Sequence, residues 1–321
     1  MMGKVKRLSD RISMIDTFDL GMKGRTSAYV LHEEKLTLIE PSASPSIPHI
    51  KSGLAELGLS VSDLEYIIVT HVHLDHAGSA GLLIKECPNA QIAVHPKGVR
   101  HLINPERLIA GAKEVYKEHF DSLFAPVLPV PEERILIKKD EDLLEISENC
   151  ILKFIDTPGH ANHHFSIFHP ISKGIFTGDV MGILYQDDVS GRFFLPSSSP
   201  NQFNPEAMLR SLSRLEALEP EILFFSHFGP LEEPNKAFHD LRKWLPVFLN
   251  SAELAAADSS DKSAADQVKA TEAELIKQVT KYLDEKNVPR GHPVYDILNL
   301  DLAVSAMGLV YYFHELSKGK Q

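Results

Sequence analysis

Between residues 70 and 78 the chain reads Thr-His-Val-His-Leu-Asp-His-Ala-Gly, so His71, His73, Asp75 and His76 fall within six residues. Imidazole nitrogen and carboxylate oxygen are ligands for zinc, and also for iron or manganese. The segment follows Tyr66-Ile-Ile-Val69, an apolar run of β-formers. Side chains alternate along an extended chain, which puts His71 and His73 on the same side. A turn into a helix then offers Asp75 and His76 to a neighbouring point, so one short segment can supply two adjacent metal sites. Three more ligand-type residues sit where a strand meets a loop. His160 lies in Thr157-Pro-Gly-His160 after a strand ending at Ile155, and Asp179 in Thr177-Gly-Asp179 after Gly174-Ile-Phe176. His227 lies in Ser226-His-Phe-Gly-Pro230 after Ile222-Leu-Phe-Phe225. Strand ends on one edge of a sheet converge in space, so separations of 89, 19 and 48 residues are no obstacle.

The motifs HxHxDH, TPGH, TGD and SH, in that order and each behind a strand, resemble those of the metallo-β-lactamase fold superfamily over about residues 11–230. The resemblance implies a four-layer αββα sandwich, an α/β fold with a metal site at one edge. It implies that His71, His73 and His160 hold a first metal, that Asp75, His76 and His227 hold a second, and that Asp179 bridges both. The cofactor expected is a pair of divalent ions, zinc first, with iron or manganese as alternatives. Two cations about 3.5–4 Å apart share a water and lower its pKa from about 15.7 toward neutrality, and the resulting hydroxide is the nucleophile. No catalytic serine is then required, and no GxSxG elbow is present. Asp75 and Asp179 are ligands first, with a proton-shuttling role open to either.

The reaction implied is hydrolysis of a small-molecule ester, lactone or thioester. A phosphoesterase, a diiron redox protein and a non-catalytic metal-binding protein are the alternatives. Diiron members generally carry glutamate at the position of His73, followed by a flavodoxin domain; here the last 90 residues read as helices. His164 matches a second histidine common in the family, with a supporting role and simple packing equally open. His163 has no pattern support, and His32, His49, His101, His119, His239 and His314 read as surface residues. Tyr185, Phe193, Phe194 and Phe203, in the long stretch 182–203, are candidates to line an apolar pocket or to pack in a core.

The elements that must position these groups are legible from apolar spacing. Ala28-Tyr-Val-Leu31, Leu36-Thr-Leu-Ile39, Gln91-Ile-Ala-Val94, Arg134–Lys138, Ile151–Ile155 and Phe165–Phe168 read as strands. Ile47, Ile50, Leu54 and Leu57 follow helical spacing, and residues 104–124 read as mostly helical behind Asn104-Pro105. Asn204-Pro205 repeats that cap signature before Met208, Leu212 and Leu215. The alternation of strands and helices fits sheets covered by helices. The expected division is a catalytic domain at 1–230 and a helical extension at 231–321, packed on that domain or on a second subunit as a homodimer. In the extension Pro246 should kink or break a helix, Asp258–Asp266 reads as a polar hinge, and 294–316 is apolar nearly all round, hence buried.

Composition narrows the partners. The chain has 321 residues, 43 % apolar, with 33 Lys+Arg against 44 Asp+Glu and a net charge of −11. That balance argues against gripping nucleic acid, which needs clustered cations. Cys87 and Cys150 are the two cysteines, too few for a disulfide framework or a four-cysteine zinc module. The N-terminal stretch has no apolar run behind its basic residues, and the apolar stretch Leu302–Phe313 is too short to span a bilayer. No membrane partner and a reducing, cytoplasmic setting are therefore expected.

Overall fold

The computed structural model describes residues 5–187, 191–257 and 263–319. Most of the hinge read at 258–266, residues 258–262, lies outside the described residues.

The first sheet begins with short apolar strands that alternate their side chains between two faces. β1 (Val5–Arg7), β2 (Ile12–Asp16), β3 (Ser27–Leu31) and β4 (Thr37–Ile39) pair antiparallel in that order. Helix α1 (Ile47–Glu56) leads to β5 (Tyr66–Ile68), which lies parallel to β4. Short helices α2 (Leu74–Ala77) and α3 (Ala80–Leu83) precede β6 (Gln91–Val94). Then α4 (Val99–Ile103), α5 (Glu106–Tyr116) and α6 (Phe120–Phe124) precede β7 (Ile135–Ile137). β6 and β7 add in parallel, which requires crossovers, and these helices supply them.

The second sheet starts as a meander of β8 (Leu143–Ser147), β9 (Cys150–Asp156), β10 (Phe165–His169) and β11 (Gly174–Gly178). A hairpin of β12 (Ile183–Asp187) and β13 (Gly191–Leu195) follows, then α7 (Pro205–Glu216). The Asn204 side chain accepts from Ala207 N–H at 2.8 Å and caps α7, as the Asn-Pro signature predicts. β14 (Ile222–Phe225) joins β11 in parallel, and β15 (Gly229–Leu231) closes that edge. Helices α8 (Pro234–Ala257), α9 (Ala264–Glu285) and α10 (Val294–Ser317) end the chain.

These elements form two compact units. The first takes the chain up to Asp156 together with His163–Gly178 and Glu219–Glu232. The second takes Thr157–Asn162, Asp179–Leu218 and the chain from Glu233 onward. In the first unit, alternate residues of each strand face different cores. Met14, Tyr29, Leu31, Ile39 and Ile68 meet Leu152, Phe154, Phe165, Phe176 and Phe224 between the two sheets. Ile15, Val30, Leu38 and Ile67 point the other way, onto Ile50, Leu54 and Leu83 of the helices. Each such buried side chain contributes about 1.5–3 kcal/mol of transfer free energy. The result is the expected α/β sandwich.

The second unit packs its hairpin with its helices. Tyr185 stacks on Phe193 at 5.2 Å between ring centres, and its hydroxyl donates to the buried Asp301 carboxylate at 2.7 Å. Phe193 meets Tyr282, Phe203 meets Tyr312, and Trp244 meets Tyr282. Tyr185, Phe193, Phe194 and Phe203 are thus buried in a core. A Cβ on Gly308 would fall on the backbone of Ser198 and Ser199, so glycine is what lets α10 approach that loop. Pro246 does not break α8, which runs unbroken from Pro234 to Ala257. An interior proline costs about 3 kcal/mol, and the buried Trp244, Leu245 and Phe248 around it offset that. The apolar stretch lies in the 24-residue α10, which is long and apolar enough by length and composition to cross a membrane, although 44 % of its apolar 18-residue window is buried within the protein.

Candidate metal centre

The residues that bring His71, His73, Asp75 and His76 together lie where β5 ends and α2 begins. His73 is the extended residue that precedes α2, and its backbone carbonyl accepts from His76 and Ala77 N–H. His71 Nε2 faces His73 Nδ1 at 2.9 Å, and the His71 and His76 rings are 4.1 Å apart. From the end of β14, His227 reaches the same place. Asp75 Oδ2 lies 3.4 Å from His76 Nε2 and 3.3 Å from His227 Nε2. Two N/O ligands bound tetrahedrally at about 2.0–2.2 Å from one ion stand about 3.3–3.6 Å apart.

The neighbours of these rings decide which nitrogen faces inward. His76 Nδ1 is paired with the Glu40 carboxylate, and His227 Nδ1 donates to the Arg25 carbonyl at 3.0 Å. The Thr26 hydroxyl, 3.2 Å from His227 Nδ1, can accept there too, because its own proton points to Asp19. With acceptors at both rings, Nδ1 carries the proton and a neutral ring presents its Nε2 lone pair to Asp75. Burial works to raise the Asp75 carboxyl, but when His76 and His227 are protonated their charge and N–H donation hold it well below the usual carboxylate range. An ionised oxygen facing two nitrogen lone pairs calls for a cation between them, either a proton on each ring or a metal ion. The donor set and spacing fit the metal. His71 and His76 are fully buried, whereas the Asp75 side chain is 25 % exposed, so solvent reaches the centre on the Asp75 side.

His160 and Asp179 belong to the second unit, and there they are neighbours. His160 Nε2 lies 3.6 Å from Asp179 Oδ2, and both residues are buried. His160 Nδ1 donates to the Ser197 carbonyl at 3.1 Å, which again leaves Nε2 with the lone pair toward a carboxylate. The glycines of both motifs have steric reasons. Gly159 has φ 140°, and a Cβ there would fall on the Met208 backbone. Gly178 has φ 53°, and its Cβ would collide with His164 Nε2 and Thr70 Oγ1.

Several residues around the first-unit cluster carry no motif. Glu40 is a buried carboxylate that also accepts from Thr70 N–H at 2.8 Å. Glu40 and Ser42 have φ of 65° and 62°, a costly backbone that persists where the surroundings enforce it. The usable signal was an acidic residue directly after the apolar run Leu36–Ile39. Asp19 is buried beside Arg25, and its carboxyl is raised to about 6 by burial and by the charge of Asp75. His163, which no pattern marks, accepts from Val72 N–H at 3.4 Å and lies 5.6 Å from the His73 ring. His164 is buried with its ring 5.1 Å from His71. Among the histidines read as surface residues, His119, His239 and His314 are exposed, His49 stacks on Phe18, and His101 faces His163.

Comparison with known proteins defines the family. A sequence profile of the metallo-beta-lactamase superfamily matches residues 21–227, and the chain belongs to that superfamily. The metallo-beta-lactamase fold-containing protein ST1585 of Sulfurisphaera tokodaii is 23 % identical over 206 residues, 63 % of this chain and 72 % of its own. The probable metallo-hydrolase MJ0888 of Methanocaldococcus jannaschii is 31 % identical over 156 residues, 49 % of this chain and 67 % of its own. The N-acyl homoserine lactonase AttM of Rhizobium radiobacter is 28 % identical over 111 residues, 35 % of this chain and 38 % of its own. The crystal structure of ST1585 superposes with a TM-score of 0.66 at 20 % identity, covering 94 % of this chain and 98 % of that one. The fold therefore extends past the ligand motifs into the C-terminal helices.

Proposed function

We propose that this chain is a dinuclear metal-dependent hydrolase of small esters, lactones or thioesters. One observation carries the reading: His76 and His227 are turned by acceptor partners so that Nε2 lone pairs meet an ionised Asp75 at 3.3–3.4 Å. Divalent ions held there supply Lewis acidity and an activated water at neutral pH. Asp75, His76 and His227 would hold one ion. His71 and His73 would hold the other with His160, and Asp179 would bridge; the order of the motifs along the chain joins these two residues to the set. Glu40 keeps the His76 ring in its tautomer, and Asp75, the exposed member, borders the substrate. The name of the lactonase relative supports lactones within the substrate class, and the absence of a cationic cluster in the sequence favours small substrates over nucleic acid. Zinc suits the nitrogen and oxygen donors, and a reducing, cytoplasmic setting suits two unpaired cysteines.

The test combines metal analysis with a substrate panel. Protein purified without chelator should carry at least two first-row divalent ions per chain, and chelation should abolish turnover of chromogenic ester, lactone or thioester substrates. Turnover confined to phosphodiesters would make the protein a phosphoesterase. Fewer than two ions after supplementation, or unchanged turnover without metal, would overturn the reading.

A further inference from the structure

The second cysteine and a histidine with no place in the motifs meet at the other end of the same sheet. Cys150 is the first residue of β9 and His169 the last residue of β10, and these strands are antiparallel neighbours. Glu33, in the turn between β3 and β4, comes to them from the first sheet. One ligand atom from each of Glu33, Cys150 and His169 lies within 4.8 Å of the others. Cys150 and His169 are wholly buried, and the Glu33 side chain is 3 % exposed.

Their hydrogen bonds leave room for one more partner. His169 Nδ1 lies 2.9 Å from Ser172 Oγ, and His169 Nε2 is buried without a hydrogen-bond partner. The Ser172 N–H also points at Nδ1, at 3.2 Å; in the tautomer that donates from Nδ1 to the Ser172 hydroxyl, Nε2 presents a bare lone pair. Glu33 Oε1 accepts from Arg11 at 2.7 Å, while Oε2 accepts from Arg11 at 2.8 Å and Ser147 at 2.7 Å. A carboxylate has about four acceptor positions; the fourth meets the Cys150 thiol and is released when that thiol gives up its proton. The Arg11 side chain is 42 % exposed, so the cluster lies one side chain from solvent.

We infer that Glu33, Cys150 and His169 form a third metal site, for a single divalent ion of the zinc type, which ties the β3–β4 turn to β9 and β10. Thiolate, imidazole and carboxylate are zinc donors, and three protein ligands leave a fourth position for water. Ligands on one ion stand about 3.3–3.6 Å apart, a gap that side-chain torsions close from the observed spacing. On binding, the Cys150 S–H bond breaks, its proton leaves to solvent, and a sulfur–metal bond forms with no change of oxidation state. The site is independent of the reading proposed for the histidine cluster, which contains no sulfur.

That difference supplies the test. The full-length protein, stripped of metal and titrated with cobalt(II), should develop a near-ultraviolet sulfur-to-cobalt charge-transfer band. Cys150→Ser and His169→Gln should abolish or strongly reduce it. Cys87→Ser should keep it, because the Cys87 thiol is buried just past α3 and donates to the Leu83 carbonyl at 3.2 Å. Zinc should also raise the Tm of the wild-type protein more than that of Cys150→Ser. No charge-transfer band in the wild type at saturating cobalt would overturn the proposal without recourse to any variant. So would a band that survives Cys150→Ser or vanishes in Cys87→Ser.

Discussion

In the first unit, ligand-type side chains gather at opposite ends of the sandwich. His71 and His227 follow the ends of β5 and β14, whereas Cys150 and His169 sit where β9 begins and β10 ends. The two groups differ in what holds their histidines. His76 and His227 donate from Nδ1 to a carboxylate and a backbone carbonyl, partners that can only accept, and the Thr26 hydroxyl also near His227 directs its proton to Asp19. His169 Nδ1 instead faces a hydroxyl, and the Ser172 N–H also points at it at 3.2 Å. A hydroxyl serves either tautomer and an N–H favours the wrong one for a ligand. The first cluster is therefore committed to presenting Nε2 before any ion arrives, and the second commits only on binding. Pre-organisation of this kind cuts the cost of binding, so the histidine cluster should hold its ions more tightly than the cysteine cluster.

The largest effect should come from breaking the committed end at its shared ligand. Asp75→Ala removes the oxygen that faces both His76 and His227. Metal content should fall and turnover should drop by at least about 10²–10³-fold, the scale of losing one strong electrostatic contribution. Elemental analysis beside steady-state kinetics checks both. A variant that keeps its ions and its rate would remove the distinction between the two ends.

The second effect is a pH dependence that belongs to the other end. Burial pushes His169 down to about 4 from 6.5, with Glu33 opposing and Arg11 assisting. A histidine held neutral in the fold contributes stability that is complete above 6.5. That contribution is lost progressively as pH falls toward 4, because the unfolded chain takes up the proton first. At about 1.4 kcal/mol per pKa unit the loss reaches about 3 kcal/mol. Urea unfolding of the metal-free protein at pH 7.5 and pH 4.5 should show it, and His169→Gln should flatten that part of the slope. An identical slope in the variant would count against the burial argument.

How much of this was legible in the sequence follows the same division. The histidine cluster was readable because its ligands sit in short motifs directly behind apolar strands, and the strands β3, β4, β5, β6, β10 and β14 all appear as apolar runs. Strand β8 was not read, since Leu143-Leu-Glu-Ile-Ser147 is short and half polar. The hairpin β12–β13 reads in the sequence only as a long stretch, because its aromatic residues also need partners in helices far along the chain, such as Asp301 for Tyr185. Asp179–Leu218 packs with the chain from Glu233 onward, although ligand order alone would group it with the residues before 230. Glu40, Asp19 and Glu33 are single acidic residues without a motif, and only their burial marks them. His169 follows a strand like the other ligands, but its companions are 19 and 136 residues away and form no recognisable pattern.

A smaller effect should separate a ligand from the group that orients it. Glu40→Gln keeps the shape beside His76 but offers an amide that can donate as well as accept. Loss of such an orienting partner costs about 10–100-fold in metal affinity or activity. Chelator competition on the variant should show that weakening, with the far-ultraviolet circular dichroism unchanged. The result would tie the commitment of the histidine end to its acceptor partners rather than to burial alone.

The smallest effect is expected at Ser172, which stands to His169 as Glu40 stands to His76. Ser172→Ala removes the one hydroxyl that can accept from His169 Nδ1, at 2.9 Å. The backbone N–H of residue 172 remains at 3.2 Å and now favours the tautomer with its proton on Nε2. That tautomer buries an N–H with no acceptor, at a cost of about 1–3 kcal/mol, offset by the stronger N–H contact at Nδ1. Net stability should therefore fall by only about 1 kcal/mol, within reach of a urea titration. The cobalt titration should respond more clearly, since the ion must first return the proton to the other nitrogen. Half-saturation of the charge-transfer band should move to higher cobalt concentration while its shape stays the same. An unchanged midpoint in Ser172→Ala would mean that His169 presents Nε2 without help, and that the two ends are equally committed.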